Sequence, residues 1–201
     1  MAGPPRGSDW RFAGAVSAGG TPPRLRLPEI AFAGRSNVGK SSLINRLARS
    51  SGLARTSRTP GRTQQINFFV GRDEIVFADL PGYGFARVPP AVKESWKGLV
   101  EGYLEKREDL RGVVVLVDVR RGLQEEDARL VDYLDAVGRE VVLVATKVDK
   151  VGRAEREKRL GAIRGARPGA IGFSSTCGEG EAALWSELRR LVEHPTRPGG
   201  R

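Results

Sequence analysis

A glycine-rich stretch early in the chain has the residue types and spacing of a phosphate-binding loop. Residues 34–41 read G-R-S-N-V-G-K-S and fit the pattern G-x-x-x-x-G-K-[ST]. Glycines let backbone N–H groups turn toward a phosphate, and the dipole of the following helix favours the same negative charge. Lys40 supplies a positive charge for the β- and γ-phosphates, and Ser41 offers a hydroxyl to Mg²⁺. The residues predicted to contact the nucleotide here are Gly34, Arg35, Ser36, Asn37, Val38, Gly39, Lys40, Ser41 and Ser42.

A second motif follows the strand-like run 75–78. Asp79, Leu80, Pro81 and Gly82 form D-x-x-G, which alone is common at strand ends but is informative at this distance after a phosphate loop. Asp79 is predicted to hold Mg²⁺ through water, and the Gly82 N–H to contact the γ-phosphate. These four residues would complete the phosphate end of a nucleotide site.

A third motif follows an apolar run near residue 145 and points to the base. It consists of Thr146, Lys147, Val148 and Asp149. The Asp149 carboxylate can accept hydrogen bonds from guanine N1–H and the exocyclic amine, a donor pair that adenine lacks. Facing adenine, a buried carboxylate would stay unpaired at a cost of a few kcal/mol. The motif therefore favours guanine and disfavours an ATP-using enzyme, and Lys147 would lie along the base plane.

Two further segments are weaker signals. Ser174, Ser175 and Thr176 follow a predicted strand, and the Ser175 N–H could meet guanine O6, although serines after strands are common.

The second segment is the loop before residue 65. It carries Gly61, Arg62 and Thr63, and a threonine here should close over Mg²⁺ and the γ-phosphate. Thr63 is the choice because it immediately precedes a predicted strand, with Thr59 as the competitor. A Pro-Gly turn without any ligand role is the simpler alternative.

Strand-like and helix-like stretches alternate between these motifs, which predicts an α/β fold with a mostly parallel sheet and helices on both faces. The predicted strands are 29–33, 65–70, 74–78, 112–118, 140–145 and 170–173, and the predicted helices are 40–49, 91–107, 125–137, 154–164 and 179–192. The sheet is thus expected to be six-stranded, with residues 10–12 as a short extra strand docked on it. We divide the chain into a partly disordered N-terminal extension (1–24), a nucleotide-binding domain (25–194) and a disordered tail (195–201).

Composition removes several other classes of protein. With 201 residues the chain can bury a sizeable core without disulfides. Its only cysteine, Cys177, and only histidine, His194, exclude an intrachain disulfide and argue against a Cys/His metal site. We expect no membrane span, because the apolar runs are only strand-length, and a cytoplasmic location, because no apolar signal segment is evident.

The charge is strongly basic and unevenly placed. The formal net charge is +10, and residues 43–72 contain arginines but no acidic residue. Two explanations stay open: a compositional bias with solvated charges, or an electrostatic surface for nucleic acid. The arginines of this segment are Arg46, Arg49, Arg55, Arg58, Arg62 and Arg72. Asp118, with Arg120 and Arg121 after it, is interpreted as an ion-pair cluster at a strand end and not as a site.

Taken in order, the segments 34–45, 59–64, 79–86 and 146–149 resemble the translation-factor-related P-loop GTPases, whose domain is Ras-like. The run P-G-Y-G-F-A over 81–86 and the T-K-V-D form of the base motif are similar to the EngB family, also called YihA or YsxC, of the TrmE-Era-EngA-EngB-Septin-like class. The resemblance covers about residues 27–193. It implies a role in assembly of the large ribosomal subunit or, in an older assignment, in division septum formation.

The resemblance also implies how such a site works. Lys40, Thr63 and Gly82 would serve hydrolysis, with Mg²⁺ on Ser41 and Thr63 and, through water, on Asp79. Many GTPases carry a water-orienting glutamine after the motif glycine; here that residue is Tyr83, so slow intrinsic turnover is expected.

Two other positions bear on the expected mechanism. Asn37 stands where related proteins help to hold K⁺, and Thr146 replaces the usual asparagine with a shorter side chain, so a weaker tie to the phosphate loop is expected.

For partners we expect precursor particles of the large subunit and ribosomal RNA, contacted by a monomer under control of the bound nucleotide. The alternative is a GTP/GDP sensor for a protein partner in cell division, with hydrolysis incidental.

Overall fold

The computed structural model describes residues 7–54, 65–83 and 90–194. Within these ranges the strands are β1 (Trp10–Ser17), β2 (Glu29–Gly34), β3 (Gln65–Gly71), β4 (Ile75–Asp79), β5 (Leu110–Asp118), β6 (Val141–Thr146) and β7 (Ile171–Phe173). The helices are α1 (Lys40–Leu47), α2 (Pro90–Lys106), α3 (Glu125–Ala136), α4 (Arg153–Ala166) and α5 (Glu181–Glu193). Short 3₁₀ turns cover Gly7–Asp9 and Val148–Lys150.

The strands form one sheet in the order β1-β3-β4-β2-β5-β6-β7. β4, β2, β5, β6 and β7 run parallel, whereas β3 is antiparallel to both β4 and β1. The mostly parallel α/β architecture is as predicted, but the sheet in the described part has seven strands and not six.

The seventh strand is β1, which pairs with β3 along its whole length, from Trp10 opposite Gly71 to Ser17 opposite Gln65. The Trp10 ring packs on Phe77, with ring centroids 4.3 Å apart. A Cβ atom at Gly71 would lie 2.8 Å from the Trp10 ring, so glycine makes room for the indole. The sequence indicated only the start of this strand, because its later residues are small and a bulge at Ala13, between Phe12 and Gly14, breaks the alternation.

Both faces of the sheet are covered by helices. Alternation along a strand sends Ala31 and Val113 to the face packed against α2, α3 and α4, and Phe32 and Val114 to the face packed against α1 and α5. Burial on both sides explains why the central strands read as continuous apolar runs.

Four of the predicted motifs begin where parallel strands end. The phosphate loop follows β2, D-x-x-G follows β4, the base motif follows β6 and the serine segment follows β7. Parallel strands place their carboxyl ends at one edge of a sheet, so the fold brings the four motifs to that edge.

No helix in the described ranges is both long enough and apolar enough to cross a membrane.

Candidate functional site

The phosphate loop connects β2 to α1, and two of its glycines are required for different reasons. A Cβ atom at Gly34 would lie 2.9 Å from a methyl of Val38 and 3.0 Å from the Leu116 carbonyl oxygen, so a side chain has no room. Gly39 has φ 107°, in the left-handed region that favours glycine. It caps α1 without any side-chain hydrogen bond, which leaves backbone N–H groups of the first turn available to an anion.

The two charged residues predicted for the phosphate end lie in contact. Lys40 Nζ forms an ion pair with Asp79 Oδ1, and both side chains are largely buried. Ser41, the residue after Lys40, offers a hydroxyl. No group of three or more His, Cys, Asp or Glu side chains in the described ranges could hold a metal. One hydroxyl and one carboxylate suit Mg²⁺, which takes much of its oxygen shell from phosphate and water.

The D-x-x-G segment packs directly on the phosphate loop. The Ser36 N–H donates to the Tyr83 carbonyl oxygen at 3.1 Å, and the Tyr83 N–H donates to the Gly34 carbonyl oxygen at 3.3 Å. A Cβ atom at Gly82 would lie 3.0 Å from Ser36 Oγ, so the two loops meet closely at this glycine. The structure thus brings together the two motifs that the sequence assigned to the phosphates.

Tyr83 is fastened to α3, a contact that sequence reasoning missed. Its hydroxyl donates to Asp127 Oδ1 at 2.8 Å, and Asp127 also accepts the Gln124 N–H as part of a capping box. Burial, and then the Asp127 carboxylate, raise the pKa of the Tyr83 phenol far above its usual value. The phenol is therefore neutral at physiological pH and committed to this carboxylate. Arg35 of the phosphate loop forms an ion pair with Glu126, the residue before Asp127. The phosphate loop and the D-x-x-G segment therefore both contact the start of α3.

Thr146 links the base motif to the phosphate loop. Its hydroxyl lies 2.7 Å from the Val38 carbonyl oxygen and 3.1 Å from the Val117 carbonyl oxygen. Despite the shorter side chain, the tie that was expected to be weaker is made at normal hydrogen-bond distance. This is possible because the end of β6 lies close to the loop: a Cβ atom at Gly39 would be 4.0 Å from the threonine Cβ.

Lys147 makes a second link to the same loop. Its ammonium group donates to the Asn37 carbonyl oxygen at 2.6 Å and to Asp118 Oδ2 at 3.0 Å. Burial favours the neutral form of Asp118, but hydrogen bonds from Arg120 and Lys147 outweigh it and hold the pKa of that carboxyl well below its usual value.

The cluster at Asp118 therefore has a role beyond the ion pairing predicted for it. It contains Arg120 as expected, but its second cation is Lys147 of the base motif, whereas Arg121 contacts Asp118 through its backbone N–H. The pairing of β5 with β6 sets Asp118 opposite Thr146 and so brings Lys147, the next residue, close to the Asp118 carboxylate.

Asp149 and the serine segment form the proposed base end. The Ser174 hydroxyl donates to Asp149 Oδ1 at 2.7 Å, and this bond is the main reason that the pKa of Asp149 lies below its usual value. Ser174 Oγ also accepts the N–H groups of Thr176 and Cys177. No residue that the structure describes accepts from the Ser175 N–H. The arrangement presents a charged acceptor, which Lys150 also contacts at 3.3 Å, beside a backbone donor.

A cavity of about 700 Å³ lies between α1 and the loop after β7. Its lining includes Ser42, next to the phosphate loop, and Ser175 and Thr176 of the serine segment. Asn45, also in its wall, exchanges two hydrogen bonds with the backbone of Ala54 and fixes the chain after α1. Lys40, Asp79 and Asp149 are not part of its lining, so the cavity lies beside the proposed nucleotide site.

The remaining predicted residues divide into three groups. Val38, Leu80 and Val148 are buried in the core, as is Pro81, so they can offer only backbone groups. Asn37 is exposed and has a left-handed φ of 62°; a potassium-binding role of its side chain stays a prediction. Gly61, Arg62, Thr63 and the competitor Thr59 lie outside the described residues.

The chain matches the family of 50S ribosome-binding GTPases over residues 29–147, from the start of β2 to the base motif. It is 50% identical over 179 residues to a probable GTP-binding protein EngB of Syntrophus aciditrophicus (strain SB), covering 88% of this chain and 91% of that protein. A probable GTP-binding protein EngB of Geobacter sp. (strain M21) is 48% identical over 175 residues, covering 85% of this chain and 82% of that protein. A crystal structure of a probable GTP-binding protein EngB matches with a TM-score of 0.65 and 25% identity, over 82% of this chain and 98% of that one.

The Thr146 link generates a prediction for nucleotide affinity. Thr146→Val keeps the shape of the side chain but leaves the Val38 carbonyl oxygen without its donor, so we expect GDP to bind about tenfold more weakly. Thr146→Ser keeps the hydroxyl and should stay within about threefold of the unmodified protein. Calorimetric titration of both variants measures this, and equal weakening by the two substitutions would contradict the role of the hydroxyl.

Proposed function

This chain belongs to the EngB family of P-loop GTPases, and from that premise we propose a nucleotide-gated switch for large-subunit assembly that works in the cytoplasm as a monomer. One observation carries the proposal: Thr146 and Lys147 bind the carbonyl oxygens of Val38 and Asn37. The parts assigned to base and phosphates are thereby held at a fixed spacing, as a single guanine nucleotide would need. The family match to 50S ribosome-binding GTPases supports the ribosomal assignment.

The phosphate end supports hydrolysis of GTP by water. Lys40 supplies positive charge to the β- and γ-phosphates, and the Gly82 N–H offers a donor to the γ-phosphate. Ser41, Asp79 through water, and Thr63 would hold Mg²⁺, which neutralises charge on the phosphates. Thr63 and its neighbours Gly61 and Arg62 remain proposals from the sequence.

Slow GTP turnover is proposed because the side chain of Tyr83, the residue after Gly82, does not orient the attacking water. The Tyr83 hydroxyl, which stands in place of a water-orienting glutamine, donates to Asp127. With the phenol committed there, positioning and charge neutralisation are left as the means of catalysis, and Asn37 is proposed to add K⁺ to that charge.

We expect GTP hydrolysis to run faster in KCl than in NaCl of equal ionic strength. Asn37→Gly removes the side chain while keeping the left-handed backbone accessible, so it should abolish the difference between the two salts. Single-turnover phosphate release measures both rates. Equal rates of the unmodified protein in the two salts would contradict the role of K⁺.

We expect Asp149 to determine which nucleotide base the protein binds. Asp149→Asn replaces one acceptor oxygen with a donor, which suits the C2 carbonyl of xanthine, so GDP affinity should fall at least tenfold and XDP should be preferred. Asp132→Asn removes the same charge from an exposed position on α3 and is the matched control. Titration with both nucleotides tests this, and unchanged GDP binding by Asp149→Asn would contradict the assignment.

The basic segment supports a nucleic-acid contact. Of its arginines, Arg46 and Arg49 lie on and after α1 and share Glu181 as an acidic neighbour, at 2.7 and 3.8 Å. Arg55, Arg58 and Arg62 lie outside the described residues. Residues 50–64 of this segment, between α1 and β3 in the sequence, are proposed to order with GTP, and nucleotide state would thereby control the contact with ribosomal RNA.

Co-sedimentation with purified ribosomal particles tests this gating. We expect binding to large-subunit particles with a GTP analogue, weaker binding with GDP, and a steep loss of binding as salt is raised from 100 to 300 mM, on the order of tenfold or more. Binding that is insensitive to salt, or equal with the two nucleotides, would contradict the model. Absence of any particle binding would favour the alternative of a sensor for a protein partner in cell division.

A further inference from the structure

Ser36, in the phosphate loop, carries a buried hydroxyl that no described residue satisfies. Its Oγ atom is shielded from solvent and has no hydrogen-bond partner among the described residues. A buried polar group without a partner is costly, and native proteins keep few of them unless a ligand or a function requires it. The other two such atoms, Arg156 Nε and Trp185 Nε1, belong to α4 and α5.

The hydroxyl lies where the two phosphate-end loops meet. A Cβ atom at Gly82 would be only 3.0 Å from Ser36 Oγ and 3.3 Å from the Ser36 backbone nitrogen. Gly82 is also the residue whose N–H is assigned to the γ-phosphate in the proposed function. The serine hydroxyl therefore sits at the same end of the site as the terminal phosphate.

The neighbouring polar groups at this contact are already engaged within the protein. The Ser36 N–H donates to the Tyr83 carbonyl oxygen at 3.1 Å, and the Tyr83 hydroxyl donates to Asp127. Lys40 is held by Asp79. The Ser36 hydroxyl is thus a neutral donor with no hydrogen bond of its own to a described residue.

We propose that Ser36 Oγ donates a hydrogen bond to a γ-phosphate oxygen of GTP, and that this contact selects GTP over GDP. The inference rests on the proposed function, because it requires that a guanine nucleotide occupies the loop. GDP ends at the β-phosphate and has no oxygen at the Gly82 end, so it would leave the hydroxyl unpaired. Whether GTP or GDP is bound would thus directly affect the place where Ser36 of one loop contacts Gly82 of the other.

Titration of Ser36→Ala with GDP and with a non-hydrolysable GTP analogue tests the contact. Loss of one hydrogen bond to a charged group should weaken the analogue about tenfold, while GDP binding stays within about twofold. Ser186→Ala, a serine exposed on α5, should leave both affinities unchanged and is the matched control. An unchanged ratio of the two affinities, or equal weakening of both nucleotides, overturns the inference.

Thermal unfolding of the same variants separates a ligand contact from a structural role. Because the hydroxyl has no hydrogen-bond partner in the described part of the chain, Ser36→Ala should unfold at the same temperature as the unmodified protein, or higher. A fall of several degrees relative to Ser186→Ala would assign the hydroxyl to the fold and overturn the inference. If the unmodified protein binds neither nucleotide, the proposed function fails; if it binds both and only the Ser36→Ala ratio is unchanged, the inference alone fails.

Discussion

Two neighbouring carbonyl oxygens of the phosphate loop, those of Asn37 and Val38, each accept a hydrogen bond from the residues that end β6. Thr146 ends β6, whose position is set by pairing with β5 and β7, and Lys147 is the next residue, just before the 3₁₀ turn. Since one donor belongs to the sheet and the other directly follows it, the loop takes its position from the core. The distance between the proposed phosphate and base ends is then a property of the sheet, and a ligand need not organise it.

The D-x-x-G segment is held by the phosphate loop and by α3, and not by the residues at the end of β6 that hold the phosphate loop. Its Gly82 meets Ser36 across a close contact, and Tyr83 reaches Asp127 at the start of α3. A change at the terminal phosphate would therefore act first on Gly82 and then, through one residue, on a helix at the protein surface. At the base end Asp149 is bound by Ser174 and Lys150, which lie in the segments after β7 and β6.

The sequence could predict features that depend on residues close together in the chain, and it could not predict contacts between distant residues. The phosphate loop and D-x-x-G need residue types at fixed spacing, so their positions at strand ends could be predicted, and the α/β sheet follows from the alternation of strands and helices. The strength of the Thr146 link could not be judged, because side-chain length alone does not give the approach of β6 to the loop. The contacts Tyr83 to Asp127 and Lys147 to Asp118 join residues 44 and 29 positions apart, and no local pattern encodes them. The unpaired state of the Ser36 hydroxyl is a property of packing and could only be seen in the folded chain.

The central claim is that one guanine nucleotide spans the site from the phosphate loop to Asp149. Calorimetric titration of the unmodified protein with GDP and ADP, in the presence of Mg²⁺, tests this claim most directly. We expect saturable, one-to-one uptake of GDP and at least a hundredfold weaker uptake of ADP, since the Asp149 carboxylate can accept the guanine donor pair and finds no such pair on adenine. Equal affinity for the two nucleotides, or uptake of neither, would contradict it.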